Sequence, residues 1–285
     1  MFTKADKNQT NLKLCISGPS GSGKTYSSLL IAKGLSTPGK IAVLDTEAKS
    51  SALYSDLVQF DIAELKTPFS VERYVECINE AEKSGYEVLI IDSLSHVWIG
   101  EGGLLDLHNK ATKSTGNSFS AWNEVTPHYN KLIEKIHQAG IHLICCMRAK
   151  SQYVVEDGSN GKKVPRKVGL EPEFRPGGLY EFDIVLSLND TVARSEKDRS
   201  GLFGGEYFTP SVETGQRLHS WLTGGNDNGD NGGDKSSSGN ESEQQEPQEA
   251  TQEQVIEFPS NPGRTQSEAL TELARLMREI GIADK

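Results

Sequence analysis

Short, continuously apolar runs alternate along the first three quarters of this chain with longer stretches in which apolar residues recur every three or four positions. Residues 12–17, 41–44, 60–65, 87–92, 141–147 and 184–188 are the runs, and their length and branched or apolar content predict strands. Between them, residues 26–34, about 70–84 and 122–139 have helical spacing. The first of these ends on Gly34, a residue suited to closing a helix. Ser70 suits the N-cap of the second, although Arg73 stands where a capping box would place Glu. A strand with no polar face must be covered on both sides. The expected fold is therefore α/β, a mostly parallel central sheet with helices on both faces.

From Gly224 the pattern stops. Residues 224–263 are rich in Gly, Asn, Asp, Ser, Glu and Gln, with nine acids against the single base Lys235. Such a stretch cannot bury enough apolar surface to offset chain entropy, so a disordered acidic linker is expected there. It accounts for most of the net charge of −10, which leaves residues 1–223 as a near-neutral domain able to bind polyanions. In 264–285, Leu270, Leu273, Leu276, Met277 and Ile280 predict a short C-terminal amphipathic helix, which either folds back on the domain or docks a partner. Cys15, Cys77, Cys145 and Cys146 lack metal or disulfide spacing and read as reduced thiols, three of them inside strands. Neither a leader-like apolar start nor 18 consecutive apolar residues occurs, so the expectation is a cytoplasmic protein without a membrane partner.

Chemistry enters at the end of the first strand. Gly18, Pro19, Ser20, Gly21, Ser22, Gly23, Lys24 and Thr25 satisfy the Gly-x4-Gly-Lys-Ser/Thr pattern in full, with a strand before and a helix after. Glycines let backbone N–H groups wrap phosphate oxygens, and the helix N-terminus adds positive potential. Lys24 is expected on the β- and γ-phosphates of ATP, and the Thr25 hydroxyl on Mg²⁺. The strand ending in Asp92 supplies the second Mg²⁺ ligand. Hydrolysis also needs a group to orient water. Ser93 occupies the position where AAA-type ATPases carry that glutamate, but Glu47 ends a neighbouring strand run and can serve. Residues 109–112 lack the aspartate, and 45–48 the glycine, of GTPase signatures.

Asp45-Thr46-Glu47 resembles the corresponding strand end of RecA and the eukaryotic recombinases, where the glutamate activates water. The resemblance implies a γ-phosphate sensor at Arg148, after the strand 141–147. The segment 196–201 is similar to the Lys-x-Arg-x-Gly of hexameric replicative helicases, which implies that Lys197 and Arg199 reach a neighbouring subunit's ATP. Together with residues 89–98 and 197–203, these motifs resemble a phage-encoded RecA-core ATPase family, over about three quarters of the chain. Some members are single-strand-annealing recombinases that act with a single-stranded-DNA-binding protein.

That resemblance implies a RecA-like P-loop NTPase fold, homo-oligomers with ATP at subunit interfaces, and single-stranded DNA as partner, in the cytoplasm of a bacterial host. DNA would meet two expected loops. One is 100–120, with Lys110 and Lys113. The other is 150–178, where Lys150, Lys162, Lys163, Arg166, Lys167 and Arg175 interleave with Tyr153 and Phe174 around a hairpin turn at 156–161. His96 and Trp98 read as core residues, and the other histidines show no metal spacing. A helicase-like or helicase-loading ATPase, and a nucleotide-gated adaptor, remain alternatives to the annealing ATPase.

Overall fold

The computed structural model describes residues 10–157 and 163–224, together with Lys4 and Lys7. The linker expected at 224–263, apart from Gly224, and the helix expected at 264–285 lie outside the described residues. The strands are β1 (Lys13–Gly18), β2 (Ile41–Asp45), β3 (Asp61–Glu64), β4 (Val88–Asp92), β5 (His142–Asp157), β6 (Lys163–Pro172), β7 (Ile184–Asn189), β8 (Val192–Asp198) and β9 (Tyr207–Phe208). The helices are α1 (Lys24–Leu35), α2 (Val71–Lys83), α3 (Ser95–Ile99), α4 (Leu104–Thr115), α5 (Ser118–Gln138) and α6 (Val212–Thr223).

The sheet runs in the order β3-β2-β4-β5-β1-β7-β8-β9, with β6 folded back on β5. The neighbours from β3 to β7 are parallel, whereas β8, β9 and β6 pair antiparallel. Apolar continuity explains the middle of the sheet: every residue of β1, β2 and β4 is buried. β3 is exposed along most of its length, as an edge strand can be. Alternation divides the core into two layers. Cys15 and Cys145 join α2 and α5 on one face, while Leu14, Ile16 and Cys146 join α1 and α6 on the other. All four cysteines are free thiols. No helix among the described residues is long and apolar enough to cross a membrane.

Two expectations are corrected, and some elements were not expected at all. The stretch 100–120, read as a loop, contains α4 and the start of α5. The buried residues of α4 are Leu104, His108 and Ala111, so a histidine stands where an apolar residue would have announced the helix. Asn117 then caps α5 by accepting the N–H groups of Phe119 and Ser120. The strand expected at 141–147 continues to Asp157, because beyond the buried sheet it pairs only with β6 as a two-stranded ribbon. Finally, β8, β9 and α6 had no sequence expectation. α6 is capped reciprocally by Ser211 and Thr214 and closes on Gly224 in the left-handed conformation.

Candidate active site

β1 delivers the glycine-rich loop to the carboxyl ends of the parallel strands. A Cβ on Gly18 would lie 2.6 Å from the Leu188 carbonyl oxygen, so nothing larger than glycine fits. Gly21 and Gly23 adopt φ of +79° and +86°, which only glycine takes without strain. Gly23 is also the N-cap of α1 and offers no side-chain acceptor, leaving the first N–H groups of the helix for an anion. Lys24 folds back, its Nζ donating to the carbonyls of Gly18 at 3.0 Å and Pro19 at 2.8 Å.

Thr25 Oγ1 donates to Asp92 Oδ2 at 2.5 Å. Burial pushes the Asp92 carboxyl up to about 6; the Thr25 bond and Lys24 oppose the shift, while Glu47 and Asp45 reinforce it. A buried carboxylate whose bonded partner is a hydroxyl is short of positive charge. One hydroxyl and one carboxylate oxygen, completed by phosphate oxygens and water, suit Mg²⁺. Among the described residues no group of three or more His, Cys, Asp and Glu is placed to hold a metal.

β2 lies beside β4 and presents Glu47 from a turn anchored by Asp45. The Asp45 carboxylate, fully buried, accepts the N–H groups of Glu47 at 2.8 Å, Lys49 at 3.0 Å and Ser51 at 3.0 Å, and the Ser51 hydroxyl. Ala48 and Lys49 take positive φ to make that turn. β5, which separates β1 from β4, ends its buried part at Met147 and presents the half-buried Arg148 next. Its guanidinium binds Glu47 through two bonds, Nε to Oε1 at 2.8 Å and Nη2 to Oε2. The expected water-orienting carboxylate and the expected phosphate sensor are thus paired with each other.

These groups share a cavity of about 600 Å³ lined by the loop, Lys24, Thr25, Glu47, Asp92 and Arg148, and also by Tyr54 and Glu173. Tyr54 meets Tyr26 edge-on, with ring centroids 5.9 Å apart. Neither Tyr54 nor Glu173 lies in a motif, and only the fold brings them to the site. Ser93, beside Asp92, is fully buried, and its hydroxyl has no hydrogen-bond partner among the described residues.

Lys197 and Arg199 are not brought to this cavity. Lys197 pairs with Val185, which pairs with Cys15 near the start of β1, so both cations lie towards the opposite end of the sheet. Lys197 Nζ donates to the carbonyls of Tyr180 and Phe182, and Arg199 pairs with Asp183 at 3.1 Å. Of the expected DNA contacts, Phe174 is buried and Arg175 stacks over Tyr129 at 4.5 Å, so neither is free. Lys110 is paired with Asp106 at 2.9 Å. The side chains of Tyr153, Lys162, Lys163, Arg166 and Lys167 lie outside the described residues. Trp98 is buried against Trp122, and His96 stacks on Phe69.

A family model described as AAA domain matches residues 10–218. No curated protein matches the sequence. Among solved structures, the crystal structure of the RadB recombinase is similar at 17% identity, covering 71% of this chain and 89% of that one, with a TM-score of 0.38.

Proposed function

The chain belongs to the AAA-domain family, and we propose that it is a Mg²⁺-dependent ATPase that acts on single-stranded DNA in recombination or strand annealing. One observation carries the ATPase reading: Lys24, Thr25, Asp92, Glu47 and Arg148, from four different strand ends, line a single cavity. Lys24 exchanges its two loop carbonyls for phosphate oxygens, and the free N–H groups of α1 hold the same anion. Thr25 and Asp92 would hold Mg²⁺, which would supply positive charge against the phosphates. Glu47 orients the attacking water. While the Arg148 guanidinium occupies both carboxylate oxygens, that role is blocked. A phosphate in the cavity competes for Arg148, and its departure frees Glu47. Tyr54 offers a flat wall for the base.

Two features support the DNA reading. The β5–β6 ribbon, whose second strand includes Lys163, Arg166 and Lys167, projects from the carboxyl ends of the sheet. α5 runs into the amino end of β5, so its first turn lies towards the same side, and there Phe119 is 87% exposed. An exposed ring suits stacking on unpaired bases. In a homo-oligomer with ATP at the interface, Lys197 and Arg199 would have to leave Tyr180, Phe182 and Asp183 to reach the nucleotide of another copy. A single-stranded-DNA-binding protein is the expected working partner. The test is the rate at which complementary labelled strands anneal with and without ATP. Acceleration that disappears in Lys24→Ala supports the proposal. ATP-driven strand separation points instead to a helicase-like or helicase-loading role, and ATP binding without either effect to an adaptor.

A further inference from the structure

Two adjacent residues of α3 brace the two halves of the Glu47–Arg148 pair. Ser95 Oγ accepts the backbone N–H of Arg148 at 2.9 Å. His96 Nδ1 lies 2.7 Å from the hydroxyl of Thr46, the residue before Glu47. Thr46 is itself a junction between β2 and β4. Its backbone N–H donates to the Asp92 carbonyl at 2.7 Å, and its hydroxyl oxygen accepts the N–H of Ser93 at 2.7 Å.

The hydroxyl has one proton and two acceptors in reach, His96 Nδ1 at 2.7 Å and the Ser93 carbonyl at 3.3 Å. The Ser93 carbonyl already accepts from the buried Tyr74 hydroxyl at 3.1 Å. The shorter contact takes the proton, which makes Nδ1 the acceptor of a neutral ring. Burial and the nearby Arg148 hold the His96 pKa below the ordinary histidine value, in keeping with that neutral ring; Glu47 and Glu173 oppose the shift. Against its face lies Phe69, with ring centroids 4.8 Å apart and planes 21° apart. Phe69 is fixed in turn: its N–H donates to the Glu101 carbonyl at 2.7 Å, and a Cβ on Gly100 would meet its ring at 2.6 Å. The imidazole is therefore clamped between a packed ring and one hydroxyl.

We propose that His96 is a positioning residue which, through the Thr46 hydroxyl, sets how β2 delivers Glu47 to the cavity. The inference rests on the ATPase reading above and adds to it a residue that touches no substrate. Small displacements of a water-orienting group slow chemistry without weakening substrate binding.

The experiment uses the full chain and measures ATP turnover alongside affinity for a non-hydrolysable ATP analogue with Mg²⁺. His96→Ala is expected to lower kcat about tenfold while analogue affinity stays within about twofold. His96→Asn, whose amide oxygen can take the place of Nδ1, recovers most of the rate, whereas His96→Gln does not. Because both changes remove the same hydrogen bond, Thr46→Val combined with His96→Ala is no slower than Thr46→Val alone. An unchanged kcat in His96→Ala overturns the proposal, as does loss of analogue affinity in step with kcat, or failure of Asn to do better than Gln. If the parent turns over ATP and His96→Ala matches it, only this inference falls. A parent without turnover removes the ATPase reading and this inference with it.

Discussion

Four donors converge on the buried carboxylate of Asp45, three backbone N–H groups and the Ser51 hydroxyl, and the turn they form holds Glu47 at the cavity. Replacing one carboxylate oxygen with an amide sets N–H against N–H in a place water cannot reach. Asp45→Asn is therefore expected to destabilise the fold by about 2–4 kcal/mol in urea unfolding. A change below about 0.5 kcal/mol would contradict this anchoring role. His142 carries a second residue-scale prediction. Its Nδ1 accepts the N–H of Leu12 at 2.9 Å. Burial, with Lys13 and His219 nearby and Glu87 opposing, lowers its pKa from 6.5 to about 4. The folded state thus favours the neutral ring. The stability this represents, roughly 3 kcal/mol at most, is present above pH 6.5 and lost as pH falls through about 4. Urea unfolding of His142→Asn should depend less on pH across that window than the parent does; parallel profiles would refute the assignment. Lys24, Thr25, Asp92 and Glu47 were legible in the sequence because the first two close one contiguous pattern and the others stand at the ends of apolar runs. His96 reaches Thr46 across 50 positions, and Tyr54 and Glu173 likewise depend on the fold, so no local pattern announced them.

At the scale of elements, α1 and α6 touch through glycines. A Cβ on Gly215 would come within 2.0 Å of the Ile31 carbonyl oxygen and 2.8 Å of Gly34 Cα, so the helices meet backbone to backbone. Gly215→Ala must push them apart and is expected to cost about 2–3 kcal/mol or more. Gly140→Ala, whose added Cβ would meet only Glu82 Oε1 at 3.9 Å, should change stability by less than about 0.5 kcal/mol. Equal effects at the two positions in denaturant unfolding would contradict the packing described. This close crossing also explains why α6 escaped sequence reading: part of its buried face is Thr214 and Gly215, which carry little apolar signal. α4 was hidden in the same way by His108. The buried strands, by contrast, were legible because a parallel sheet covered on both faces leaves no polar alternation to confuse them.

Across the molecule, the two ends of the sheet carry different chemistry. The carboxyl ends gather the glycine-rich loop, the Thr25–Asp92 pair and the Glu47–Arg148 pair, with the β5–β6 ribbon extending beyond them. Near the opposite end, Lys197 and Arg199 are engaged with Tyr180, Phe182 and Asp183. The most direct measurement is ATP turnover by the purified chain with Mg²⁺, with and without single-stranded DNA, beside Lys24→Ala and Glu47→Gln. The account predicts turnover that DNA stimulates, abolished with binding in Lys24→Ala, and lost by at least about a hundredfold with binding retained in Glu47→Gln. Turnover in Glu47→Gln near the parent's rate, or none in the parent under any of these conditions, would contradict it.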